Sequence, residues 1–186
     1  MPCSSAGLDH LRMRTYIRNR VPGGTYFFTV NLACRSGNTL LIDHIDDLRK
    51  AYRATCNERP FETIAAVVLP EHLHVIWRLP HDDDDYPTRW RLLKGRFSHS
   101  IMHKEDIGRS RFQKGERAIW QRRYWERTIR DDEELHRYVD YIHHNPVKHG
   151  WCASAADWPY STLRRYADRG LPPSNGLCHA QCKLGQ

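Results

Sequence analysis

The sequence predicts an α+β fold of the ferredoxin-like type, a βαββαβ antiparallel sheet with an additional C-terminal helix. Two observations predict it. Hydrophobic periodicity switches in the order strand, helix, strand, strand, helix, strand between residues 25 and 128, and that order is the split βαβ. A further helical stripe follows the last strand and can cover the sheet face that the first two helices leave available. The length of 186 residues suits one domain with a core of its own.

Each element has its own signal. Thr25 to Leu32 is aromatic and β-branched and follows Gly23-Gly24, which predicts a strand. From Asp43 to Asn57, Ile45, Leu48, Tyr52 and Cys56 recur at three- and four-residue steps and predict a helix, ended by Arg59-Pro60. Phe61 to Leu69 and Leu73 to Leu79 read as two strands joined by Pro70-Glu71, an antiparallel hairpin. The acidic run Asp82 to Asp85 lacks the spacing of a calcium loop and reads as a solvated loop. Thr88 to Met102 is a basic helix with Trp90, Leu93, Phe97 and Ile101 inside, and Ile119 to Thr128 is the fourth strand. Asp131 with Glu134 forms a capping box for the last helix, Leu135, Tyr138, Val139 and Ile142 make its apolar stripe, and Asn145-Pro146 closes it. Residues 1–13 form a loose leader, 14–167 the single domain, and 168–186 a tail whose lack of apolar periodicity is compatible with disorder.

Composition narrows the function classes. The net charge is +7 and the pI about 9.2, and the excess is concentrated: Tyr86 to Arg130 holds 13 Lys and Arg against four acids. A polyanionic partner such as nucleic acid fits this pattern. No apolar run is long enough to span a bilayer, and the N-terminal residues contain no apolar signal core, so a cytoplasmic, nucleoid-associated location is expected. The six cysteines are scattered, which predicts reduced thiols; Cys178-His179 with Cys182 is too isolated to define a metal site.

His72 and His74, two apart on a strand, face the same side and can converge on one ion. With 12 histidines in the chain, chance alone supplies about one such pair, so the motif by itself is weak. On the last helix Tyr138 falls on the apolar stripe, whereas Tyr141 lies roughly 110° from its centre, with Asn145 one turn later near the same edge. Tyr138 is thus the core residue of the two and Tyr141 the candidate for chemistry. A packed tyrosine and a helix-terminal amide explain the same pattern without any chemistry. On the wheel His143 points about 160° from Tyr141 and reads as a surface residue, while His144, about 60° away, reads as a neighbour of the site.

Two segments carry a resemblance. Leu69-Pro70-Glu71-His72-Leu73-His74-Val75-Ile76-Trp77 and Tyr138-Val139-Asp140-Tyr141-Ile142-His143-His144-Asn145-Pro146-Val147-Lys148-His149-Gly150 resemble the single-tyrosine HUH transposases. The branch most similar is the REP-associated tyrosine transposases, which share the patterns at residues 24–31, 89–91, 120–121, 124–126 and 158–162. The resemblance implies that His72, His74 and Asn145 bind a divalent metal, Mg²⁺ or Mn²⁺, and that Tyr141 is the nucleophile. It also implies single-stranded DNA nicking and strand joining through a 5′-phosphotyrosine, at REP-type palindromic hairpins. The partner is then single-stranded or hairpin DNA, bound by a monomer or by a dimer that exchanges the last helix. Arg14, Arg18, Lys94, Arg96, Arg122, Arg123, Arg127 and Arg130 are the candidate phosphate contacts. A non-catalytic DNA-binding domain and a phosphodiesterase that uses water are the rival readings.

Overall fold

The structure, a computed structural model, describes residues 18–101 and 117–168. The leader, Arg14, the tail after Asp168 and the Cys178/Cys182 cluster lie outside the described residues. Four strands, β1 (Thr25–Asn31), β2 (Glu62–Val68), β3 (His72–Arg78) and β4 (Trp125–Thr128), form one antiparallel sheet in the order β2-β3-β1-β4. This is the strand order of the split βαβ fold. After β1 come α1 (Leu40–Asp43) and α2 (Ile45–Glu58), then α3 (Tyr86–Ser100) between β3 and β4, α4 (Asp132–Lys148), and α5 (Leu163–Asp168).

Strand pleating sorts the side chains onto two faces. Tyr26, Phe28, Val30, Leu73, Val75 and Trp77 point toward α2 and α3 and form the larger core, where Trp77 stacks on Trp90 at 4.2 Å. Phe27, Ala65, Val67 and Ile76 point to the opposite face, where Val139 and Ile142 of α4 bury them. Helix α4 therefore covers the β2, β3 and Phe27 part of the open face, as its apolar stripe requires.

Five local expectations need correction. The fourth strand is shorter, because only Trp125–Thr128 continues the ladder. Extending the Thr29–Trp125 register would place residue 122 opposite Leu32, yet Trp120 pairs there, so two extra residues bulge out. Trp120 packs on Phe97 inside, while Arg122 and Arg123 turn to solvent. Helix α4 runs through Pro146 to Lys148 instead of stopping before it. The missing N–H falls in the final turn, where His149 N–H still donates to the Asn145 carbonyl. The capping box is half formed: Asp131 accepts from Glu134 N–H, but the Glu134 carboxylate accepts from Arg130 N–H and from Arg127. The acidic run is not merely solvated, since Asp83 accepts two bonds from the buried Arg89 and Asp85 caps α3 through Thr88 N–H. That cap starts α3 at Tyr86, two residues earlier than its apolar pattern.

The chain after α4 returns to the sheet. Val68 N–H donates to Tyr160 O, Thr162 N–H to Ala66 O, and the Trp158 indole to Val68 O, so residues 158–162 pair with β2 and close its outer edge. Cys34, Cys56 and Cys152 are free thiols, as expected. Among the described residues no helix is long and apolar enough to cross a membrane.

Candidate active site

β3 begins at His72, immediately after the Pro70-Glu71 connection, so His72 and His74 emerge on the α4 face at the end of the strand where the hairpin turns. Both are almost fully buried, and their rings lie 4.9 Å apart. Each has one ring nitrogen already committed. His72 Nδ1 lies 3.0 Å from the Glu71 carboxylate, and His74 Nδ1 lies 2.9 Å from the hydroxyl of Thr29, its direct partner across the β1–β3 ladder. These contacts fix the ring orientations and leave each Nε2 as the remaining coordinating atom. Desolvation lowers both imidazoles, His72 to about 4 and His74 well below its ordinary value, so both are neutral at physiological pH. Burial works against the Glu71 carboxylate, but His72 and Arg35 outweigh it and hold it below its ordinary value.

Helix α4 supplies the other side. Tyr141, Asn145 and His149 follow one another at four-residue steps along one stripe of the helix and its cap. The Tyr141 ring packs on His74 at 5.2 Å and the His149 ring on His72 at 5.3 Å, so the two ends of the stripe match the two histidines. Asn145 is thereby bracketed opposite the pair. It is 1% exposed, and neither Oδ1 nor Nδ2 has a hydrogen-bond partner; His74 Nε2 is likewise buried and unpartnered. Such groups are costly unless something pairs with them. Among the described residues no cluster of three or more His, Cys, Asp or Glu could hold an ion, so a site here has to recruit the amide. The donor set of two imidazole nitrogens and one amide oxygen fits a divalent cation with sites left for oxygen ligands. Because α4 lies on its own sheet, all four residues meet within one chain.

Both tyrosines of α4 are partly buried against the Phe27 core. Tyr138 stacks on Phe27 at 4.5 Å, and Tyr141 meets Phe27 edge-on at 5.8 Å and also lies beside His74, with Lys148 Nζ 5.2 Å from its ring. The two histidines after Tyr141 exchange their expected places. His143 is buried, hydrogen-bonded to Thr162 and packed on Tyr166, because the returning 158–168 segment covers that side of α4. His144 is exposed and lies 3.1 Å from the Asp140 carbonyl.

The cationic candidates divide. Lys94 donates inward to Gln121 O, and burial lowers its amine to about 8; Arg96 bonds Thr55 and Glu58 of α2. Arg18 lies over the Tyr124 ring beside the buried Glu126. Arg122, Arg123 and Arg130 are exposed, and Arg127 is half-buried against Glu134. Inspection of the sequence missed Thr29 as the partner of His74. Its only signal is the β1–β3 register, which a single sequence does not reveal.

Residues 29–145 match the family model described as IS200-like transposase. The REP-associated tyrosine transposase of Escherichia coli K12 is 45% identical over 161 residues, 87% of this chain and 89% of its own. A Haemophilus influenzae chain assigned to the same group is 43% identical over 164 residues, 88% and 93% of the respective lengths. The structure of a REP-associated tyrosine transposase bound to a REP hairpin superposes with a TM-score of 0.79 at 42% identity, covering 94% of this chain and 98% of that one. The chain therefore belongs to the REP-associated tyrosine transposases of the IS200-like transposase family.

Proposed function

We propose that this transposase cuts and rejoins single-stranded DNA beside REP-type hairpins through a covalent 5′-phosphotyrosine on Tyr141. One observation carries the reading: His72 and His74 of β3 face Asn145 of α4, with His74 Nε2 and both polar atoms of the Asn145 amide buried and unpartnered, next to Tyr141, whose ring lies 5.2 Å from that of His74. The REP hairpin held by the 42%-identical relative supports the choice of substrate.

In this reading His72 Nε2, His74 Nε2 and Asn145 Oδ1 would hold Mg²⁺ or Mn²⁺, with Glu71 and Thr29 accepting hydrogen bonds from the two Nδ1–H groups so that both Nε2 atoms are left to coordinate. Such an ion, when bound, would supply Lewis-acid polarisation of a non-bridging phosphate oxygen. The Tyr141 oxygen forms the new bond to phosphorus and gives up its proton, the P–O3′ bond breaks, and the leaving 3′ oxygen takes a proton. Lys148, beside the Tyr141 ring, supplies positive charge where the phenol becomes anionic. The ester energy is kept in the phosphotyrosine, so the 3′-hydroxyl can attack it and rejoin the strand without ATP.

The test is incubation of the protein with hairpin DNA carrying a single-stranded flank and Mn²⁺, followed by denaturing electrophoresis. A protein-DNA adduct is expected from the wild type and from Tyr138→Phe, and none from Tyr141→Phe, which should still bind. Cleavage without an adduct would point to water as the nucleophile. Binding without cleavage would make the chain a DNA-binding domain only.

A further inference from the structure

The sheet face beneath α4 is only partly covered. Pleating places Phe27 and Thr29 of β1, His72 and His74 of β3, and Trp125 and Arg127 of β4 on this one face. Helix α4 lies across β2 and β3 and reaches Phe27 of β1 through Tyr138 and Tyr141, while Trp125 of β4 stands beyond it. Trp125 stands there 41% exposed, one of three large hydrophobic side chains so exposed among the described residues. Its ring meets Phe27 edge-on at 5.6 Å, and Phe27 touches His74, Tyr138 and Tyr141 in turn. A single aromatic ring thus separates Trp125 from the candidate nucleophile. The surrounding charge is cationic: Arg127 neighbours Trp125 on the same face, held by Glu134, while Arg123 and Arg130 are exposed on either side of β4. The acids nearby are Glu126, buried on the opposite face, and Asp131, Asp132 and Glu133 at the start of α4.

We propose that Trp125 is the stacking platform for a base of the single-stranded DNA flanking the cleaved phosphate, at the β4 edge of the sheet face beside α4. The inference rests on the reading of single-stranded DNA as substrate. An exposed aromatic side chain amid cations is the arrangement that single-stranded nucleic acid recognises, since every base offers a π-face and the backbone needs positive charge. Phe27 fixes the indole, so little side-chain freedom is lost when a base settles on it. Trp125 is a positioning residue: it anchors the flank so that the phosphate beside it reaches Tyr141.

The experiment uses the full chain and a hairpin with a single-stranded flank in which 2-aminopurine is placed at each flank position in turn. Wild type should quench the fluorescence at one position, and Trp125→Ala should abolish that quenching and weaken binding about tenfold, or about 1.4 kcal/mol. Trp125→Phe should retain most of the affinity, and the hairpin without its flank should bind all three proteins equally. An abasic nucleotide at the quenched position should weaken wild type by the same factor and Trp125→Ala not at all. Thermal midpoints confirm that each variant is folded. Equal binding of the flanked hairpin by wild type and Trp125→Ala would overturn the inference. So would an equal loss on the flankless hairpin, or a change in sedimentation showing that Trp125 contacts a second copy of the chain. Adduct formation is scored in the same samples: an adduct without any effect of Trp125 refutes only the platform, and position-specific quenching without an adduct refutes only the tyrosine mechanism.

Discussion

Replacing Asn145 by Ala separates a ligand from a structural amide by the sign of its effect. In protein stripped of metal by chelation, the wild-type amide is 1% exposed with both polar atoms unpartnered. Leaving such a group buried costs about 1–3 kcal/mol, and removing it recovers much of that. The small cavity created costs on the order of 1 kcal/mol, so Asn145→Ala should leave the metal-free stability within about 1 kcal/mol of wild type. With Mn²⁺ at about a hundred times its dissociation constant, wild type should gain about 2.7 kcal/mol, or roughly 5–11 °C in Tm for a chain of this size. A tenfold loss of affinity on removing one ligand would take about 1.4 kcal/mol from that gain and about halve the shift. Thermal melts with chelator and with Mn²⁺, on both proteins, give all four numbers. A metal-free loss above about 2 kcal/mol with an unchanged Mn²⁺ increment would show that Asn145 is structural and refute the assignment.

Three further outcomes follow from the same geometry. Thr29→Val removes the oxygen beside His74 Nδ1 and should weaken Mn²⁺ binding about 10–100-fold, read by calorimetric titration, with little change in fold. The affinity of the site for Mn²⁺ should stay nearly level as pH falls from 8 toward 5, because burial keeps His72 neutral down to about 4; a drop centred near pH 6.5 would show that the histidines are solvated instead. Burial also lowers His143 to about 4, so the unfolded imidazole takes up a proton near pH 6.5 while the folded one does not. The unfolded state then binds more protons across that window. Stability is full above about pH 6.5 and falls by about 2–3 kcal/mol as pH drops toward 4. Denaturant titrations of His143→Gln should show a shallower fall than wild type.

The sheet and its helices were legible because each rests on a period: two for the strands and 3.6 for the helices. What escaped depends on contacts between elements far apart in sequence. The His143/His144 exchange could not be read from the helical wheel, because the segment that buries His143 arrives 19 residues later, through Thr162. The bulge before β4 needed the side chains of Trp120 and Phe97 to meet, and the inward turn of Lys94 depends on the Gln121 carbonyl that the bulge exposes. Charge count therefore overstated the number of cations left for DNA. The HxH pair shows the reverse: at chance level alone, it gains meaning from a helix about 70 residues away whose stripe of Tyr141, Asn145 and His149 matches its spacing.

That match is only as good as the seating of α4, and the structure shows what seats it. Phe27, Val67 and Ile76 bury one side of the helix against the sheet, while Thr162 ties the other side to the edge of β2. The Thr162 hydroxyl accepts from Ala66 N–H, and its oxygen also lies 3.2 Å from Ala66 O and 3.1 Å from His143 Nε2. Thr162→Val keeps the shape but leaves the Ala66 amide and a buried imidazole without that oxygen, which should cost about 2–4 kcal/mol of stability. If the only role of Thr162 were in folding, the variant assayed well below its melting temperature would form the Tyr141 adduct at the wild-type rate. If the clamp sets the height of α4 above the histidines, the rate should fall at least tenfold while hairpin affinity stays unchanged, because a displacement of about 1 Å suffices to spoil in-line attack. A wild-type rate in folded Thr162→Val would refute the clamp and leave the apolar contacts with Phe27 and Ile76 as what positions the tyrosine.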